Sequence, residues 1–149
     1  MARGYSAYGT PNAAGTSKTM AAVINSSSVR ARIFDAVFGT PITPADQAWI
    51  CSINRFTTTG TNSSFTPNPL DVGDVAAVAT AGTAHSAEPG YAAASDLVHV
   101  PLNQRASFRW VASPGYELMS SATAQFGIGI RIMSATASLT AEATLFWFE

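Results

Sequence analysis

His85 and His99 are the two histidines of this chain and Cys51 is its single cysteine. With nine carboxylates they make up most of the side chains that could act as bases, nucleophiles or metal ligands. A zinc site needs Cys, His or carboxylate ligands at short recurrent spacings. His85 sits among small residues in "TAGTAHSAEPG" and His99 in the valine-rich "LVHVP", and neither has a Cys, Asp or Glu at ligand spacing. Cys51 alternates with Trp49 and Ile53, which marks it as a small buried hydrophobe rather than a reactive thiol. Asp71 and Asp74 in "LDVGD" could join other oxygens around calcium, but no EF-hand spacing surrounds them. Asx-turn and cap roles account for both. A glycosidase needs two converging carboxylates, and nothing in the spacing of Glu88, Asp96, Glu117 and Glu142 brings any two together. The glycines of "GIGIR" lie inside a strand pattern, so they form no phosphate loop, and no nucleophile elbow is present. The reading is a protein without catalytic residues, metal or cofactor.

Charge excludes further classes. Charged residues make up 11% of the chain, against about 25% in ordinary soluble domains. Ser, Thr, Asn, Gly and Ala replace them, which gives a surface that repels copies of itself weakly. The net charge of −1, the one lysine and the isolated pair Arg30 and Arg32 argue against nucleic acid as partner. No apolar run approaches the roughly 20 residues of a membrane helix. "MARGYSAYGTPNAAG" lacks the apolar stretch of a signal peptide, and one cysteine allows no internal disulfide. A soluble chain made in a cytoplasm is expected, so the "NSS" sequons at Asn25 and Asn62 carry little weight.

The elements that would position any site are short strands. Residues 1–18 show no periodicity and read as a flexible N-terminal arm, followed by one domain over 19–149. Tyr5 and Tyr8 are the large side chains of that arm, either docking on a neighbour or riding on a disordered tail. "MAAVI" is a strand. So is Val29 to Gly39, where Ala31, Ile33, Asp35 and Val37 alternate with Arg30, Arg32, Phe34 and Phe38. Thr43 and Pro44 suit the start of one short helical turn. "AWICSINRFTTTG" is the next strand, and "TNSSFTPNPLDVGD" reads as a long loop. "VAAVA" after Asp74 is a short helix or a weak edge strand. "DLVHVPL", "ASFRWVAS", "YELMSS", "FGIGIRIMSA" and "SLTAEATLFWFE" complete the strands, with Ile128, Ile130 and Ile132 on one face. Such runs between Pro, Gly and Asn turns predict an all-β fold, an antiparallel β-sandwich of about eight strands resembling a jelly roll. At most one or two short helical turns accompany it.

"NQRASFRWVASPGYEL" is the most aromatic of these stretches. Phe108 and Trp110 share a face with Ala106 and Ala112 and should anchor the core. Arg105 and Arg109 lie opposite, and Arg131 holds the same position on its own strand beside Gly127 and Gly129. Arginine suits interfaces, where its planar fork binds carboxylates and carbonyls, and a glycine-lined face admits a close backbone. The alternative is cross-strand pairing within one subunit, for instance with Glu117 or Glu142. Tyr91, Tyr116 or Trp147, if exposed, would suit a sugar platform, though aromatics are more often core.

An unstructured arm, an Ala/Thr/Ser/Gly-rich β-sandwich, "TPNPLD", "EPGY", "NQRASFRWVASPGYEL", "GIGIRI" and the aromatic-acidic C-terminus together resemble small virion structural proteins of tailed bacteriophages. The similarity is greatest to the jelly-roll proteins that decorate or cement the head, and it covers most of residues 19–149. The resemblance implies a homotrimer on the capsid surface, assembled in the host cytoplasm and binding several major capsid subunits at once. It transfers no functional residue. Tyr5, Tyr8, Arg105, Arg109 and Arg131 are the candidate interface residues. A glycan- or receptor-binding module of a head or tail fibre is the alternative, a tail-tube or connector subunit a structural variant, and a hydrolase a distant third.

Overall fold

The computed structural model describes residues 2–11, 14–15, 17–41, 43–135 and 139–149. Met1, Asn12, Ala13 and Thr16 of the expected arm lie outside the described residues. Among the described residues, alternation of apolar and polar side chains yields twelve strands. They are β1 Gly4–Gly9, β2 Lys18–Ile24, β3 Arg32–Gly39, β4 Ala48–Phe56, β5 Thr61–Phe65 and β6 Asn68–Pro69, then β7 Thr80–Ala87, β8 Tyr91–Asn103, β9 Phe108–Val111, β10 Leu118–Met119, β11 Gly127–Ala135 and β12 Glu142–Phe148. All pairings are antiparallel. One sheet runs β10-β3-β12-β1-β6, with β9 sharing the β10 edge of β3, and the other runs β5-β7-β2-β11-β4-β8.

The chain changes sheet from β1 to β2, β2 to β3, β3 to β4, β5 to β6, β6 to β7, β8 to β9, β10 to β11 and β11 to β12. The first strand therefore pairs with the last, β1 with β12, and the second with the penultimate, β2 with β11. That is jelly-roll connectivity, in which closing two Greek keys over one core limits the exposed edges. Strands β5 to β7 are an insertion that extends the β1 edge of one sheet and the β2 edge of the other.

The core lies between the sheets. Tyr5, Ile33, Phe38, Leu145 and Trp147 from one meet Met20, Val23, Trp49, Cys51, Ile53 and the three isoleucines of β11 from the other. Trp49 meets Phe38 edge-on at 6.2 Å, and Tyr5 lies 6.1 Å from Trp147. Phe108 and Trp110 pack on the margin of this core, half-buried. Full burial of such side chains is worth about 1.5–3 kcal/mol each, which is why these few apolar positions dictate the register.

The N-terminal arm is a correction. Residues 4–9 are β1, a strand held between β12 and β6, and Tyr5 is 1% exposed. Tyr5 and Ala7 point inward while Gly4, Ser6 and Tyr8 point outward, and the small residues conceal that alternation. The expected long loop also contains β5 and β6. Neither helical turn forms. Thr43 adopts φ 41°, outside the β-region of an N-cap, and the Ala45 N–H is satisfied by Gln104 Oε1 at 3.1 Å. Over "VAAVA", the Val78 and Ala79 N–H groups donate to the Glu149 carboxylate, both at 2.9 Å, so a remote side chain takes donors that a helix would use internally.

β3 begins on the expected phase and then reverses it. The register with β12 slips at Phe34, pairing Phe146 with Asp35 and Trp147 with Ile33. This β-bulge turns Ala36 and Phe38 inward and leaves Val37 outside.

Candidate functional site

The polar side chains that could do chemistry fall on the outer faces and at one pole of the sandwich. On the outer face of β3, the bulge leaves Asp35 almost covered, and β9 lays Arg109 across it. Arg109 Nε donates to Asp35 Oδ1 at 3.1 Å and Oδ2 at 3.0 Å, and Nη2 to Oδ2 at 2.5 Å. The fork is bidentate, the geometry that a carboxylate matches best. Arg109 is thus an inter-strand tie within the subunit, and its partner is Asp35 rather than Glu117 or Glu142.

Arg131 is also spent within the chain. Gly127, Gly129 and Arg131 face outward from β11, but no foreign backbone fills the space above the glycines. Phe56 and Tyr91 do. A Cβ on Gly129 would lie 2.3 Å from the Tyr91 hydroxyl, and one on Gly127 would lie 2.4 Å from Phe56 and 2.0 Å from the Val23 carbonyl. Arg131 stacks 4.5 Å above the Tyr91 ring, a cation–π contact. The Tyr91 hydroxyl shares a hydrogen bond with Thr19 Oγ1 at 2.8 Å, and burial raises its pKa well above that of a free tyrosine. Beside it, Glu88 accepts the Thr19 N–H at 2.8 Å and pairs with Lys18 at 3.7 Å.

A His–Asp pair was not visible in the spacing. His99 Nδ1 lies 3.0 Å from Asp96 Oδ2. Residues three apart on a regular strand face opposite ways, but β8 skips Leu97 in its register with β4, which returns both side chains to the outer face. Burial would raise the Asp96 pKa, but hydrogen bonds, from His99 first and then Asn54, outweigh it and bring it below the ordinary value. Ser52 stands opposite His99, completing the residue types of a hydrolytic triad. Its hydroxyl, however, donates to the Val98 carbonyl at 2.9 Å, so its proton is not offered to His99 as a nucleophile's would be. Among the described residues no cluster of three or more His, Cys, Asp or Glu could hold a metal ion.

His85 is enclosed, 1% exposed, and neither ring nitrogen finds a partner among the described residues. Burial lowers its pKa, opposed by Glu88. Cys51 is the core thiol expected, with burial pushing its pKa well above normal. Asn25 is buried and spends its side chain on Ser121 O and the Ala31 N–H at 2.8 and 3.0 Å, so it is closed to glycosylation in the folded chain.

The remaining candidates separate. Tyr5 leaves the surface: its hydroxyl donates to Val75 O at 3.0 Å, and a buried core position cannot dock on a neighbour. Tyr8 is 68% exposed and borders a hollow of about 440 Å³ with Phe65 and Glu142. Arg105 sits in the turn after β8, exposed, its backbone N–H held by Asn103 Oδ1 at 2.9 Å. Among the sugar-platform candidates Trp147 is buried, Tyr91 covers Gly129, and Tyr116 stands exposed.

The largest missed feature is at the pole where β1 begins and β12 ends. Between β6 and β7 the chain displays Leu70, Val72, Val75 and Val78 to water, Val72 at 98% exposure. The segment is nevertheless tied down. Asp71 Oδ1 accepts the Gly73 N–H at 2.8 Å and Arg3 pairs with Asp74 at 3.5 Å. The Tyr5 hydroxyl and the Glu149 carboxylate hold Val75, Val78 and Ala79 by their backbone. The sequence signal was there: "LDVGDVAAV" carries four large aliphatics without the alternation that would bury them.

On the other flank of the same pole is a groove of about 560 Å³ whose lining includes Arg30, Arg55, Phe56, Met119 and Phe126. Arg55 Nε donates to Met119 O at 2.5 Å. Neither arginine has an ion-pair partner among the described residues.

Comparison of the chain with known protein families, with characterised proteins and with solved structures found no match.

Proposed function

We propose that this chain is a non-enzymatic virion structural protein, a decoration or cement protein that oligomerises and stabilises a tailed-phage head by binding the major capsid protein. The observation that carries a role in assembly is the loop 70–79, four exposed aliphatic side chains on a backbone already fixed by side-chain hydrogen bonds and an ion pair. Exposed apolar clusters on soluble proteins mark interaction sites, and prior ordering lowers the entropy lost on binding. The sparsely charged surface supports the same reading, as does the exposed Arg105. The capsid as partner rests on the resemblance in the strand and turn motifs. Each contact need only be weak, since a symmetric oligomer engages several equivalent sites at once.

Particles of the source phage lacking this protein should lose infectivity at a lower temperature than complete particles, and adding purified protein back should restore the difference. Equal survival with and without the protein would reject the cementing role.

A further inference from the structure

The two features of the pole complement each other. The loop offers aliphatic side chains flanked by Asp71, which has no ion-pair partner among the described residues. The groove offers apolar walls from Phe56, Met119 and Phe126 flanked by Arg30 and Arg55, likewise unpaired among the described residues. Arginine and carboxylate at an apolar rim give both attraction and register.

One chain cannot make this contact with itself. Thr80, Ile24, Gly127, Phe56 and Tyr91 form one row across β7, β2, β11, β4 and β8. The loop enters at the Thr80 end and the groove lies at the Phe56–Tyr91 end. Three to four strand spacings of about 4.8 Å separate them, roughly 15–20 Å. The loop is held on its own flank by Tyr5, Arg3 and Glu149 and has no slack to cross.

Resting on the reading of this protein as an oligomer, we propose that its self-association is head-to-tail, with the loop Leu70–Val78 of one copy seated in the Arg30–Arg55 groove of the next. Val72 and Leu70 enter between Met119 and Phe126, and Asp71 meets the guanidinium of Arg55, which the Met119 carbonyl already orients. With each loop seated in the next copy rather than exchanged reciprocally between two, the interface is heterologous, and every copy presents one loop and one groove to its neighbours. Both patches lie at the same pole, so successive copies keep that pole on one side of the assembly, as a protein seated on a shell requires.

The test uses the full chain and two variants at exposed positions, Val72→Asp and the double substitution Arg30→Glu with Arg55→Glu. Thermal melting first confirms that each folds like the wild type. Sedimentation velocity over a dilution series should then show a wild-type oligomer and two monomeric variants, each weakened at least tenfold in self-association. An equimolar mixture of the variants should form a complex of two chains, since one supplies an intact groove and the other an intact loop. A monomeric wild type, a variant that keeps the wild-type oligomer, or a mixture that stays monomeric would each overturn the contact. A Val72→Asp chain that remains oligomeric but no longer binds capsid shells would give the loop to the capsid and overturn it too. An oligomer built this way that ignores capsids would instead sink the proposed function and leave the contact standing.

Discussion

The start of β8 and the loop 70–79 lie at the same pole of the sandwich, yet only one of them hides its side chains. Tyr91, at the first position of β8, lies over Gly129, shares a hydrogen bond with Thr19 and carries Arg131 on its ring. Its polar and apolar surfaces are both spent within the chain. The loop has the reverse arrangement. Its backbone is held by Tyr5 and Glu149 and Asp74 by Arg3, while Leu70, Val72, Val75 and Val78 stay in water. Aromatics over glycines are structural here. Aliphatics on a fixed backbone are left uncovered by the described residues of the chain.

That contrast can be broken at its covered side first. Gly127→Ala should be the most destabilising change, on the order of 3 kcal/mol or more, because the new methyl meets the Val23 backbone carbonyl and nothing flexible can move aside. Urea denaturation measures it, and Gly129→Ala should cost less, since there the obstacle is the tip of the Tyr91 side chain. Tyr91→Ala should cost about 3 kcal/mol through the lost ring. Tyr91→Phe, which removes only the bond to Thr19, should cost about 1 kcal/mol, and a double-mutant cycle with Thr19→Val should show coupling between the two hydroxyls.

His85 gives a smaller, pH-dependent effect. Its folded-state pKa is lowered by burial, although Glu88, itself paired with Lys18, opposes the shift. The unfolded chain therefore takes up the proton first as pH falls below about 6.5. Stability should drop with decreasing pH from there to the folded-state pKa, by at most about 1.4 kcal/mol per pH unit, and level off below it. His85→Leu should flatten that window in urea titrations. Least of all, Val72→Asp should change monomer stability by no more than about 0.5 kcal/mol while altering what the protein binds. If it unfolds the chain, the loop is structural and the contrast fails.

Much of the fold was legible because its strands obey simple alternation. Ile128, Ile130 and Ile132 in β11, and Trp49, Cys51 and Ile53 in β4, face the core as their spacing requires. What stayed hidden has local physical causes. β1 puts Tyr5 and Ala7 inside and Ser6 and Tyr8 outside, one tyrosine and one small residue on each face, so the two faces differ too little in polarity to register as a strand. The bulge at Phe34 reverses the phase of β3, and the skipped Leu97 joins Asp96 to His99. Spacing alone reveals neither slip. The helical turns failed because Glu149 and Gln104, remote in sequence, claim the N–H groups concerned. The partners of the arginines were not legible in the chain: Arg109 found Asp35, 74 residues away. Arg131 found the Tyr91 ring, and Arg105 alone of the three has no side-chain partner among the described residues.

The central claim, a docking protein of capsids, is tested most directly by co-sedimentation of the purified chain with shells assembled from the major capsid protein encoded in the same genome. Saturable binding, with a fixed number of copies per shell, loss of affinity on Arg105→Ala, and loss on Val72→Asp through the broken oligomer and its avidity, is the result predicted. A wild-type chain that stays in the supernatant at every concentration, while folded and oligomeric, would contradict it.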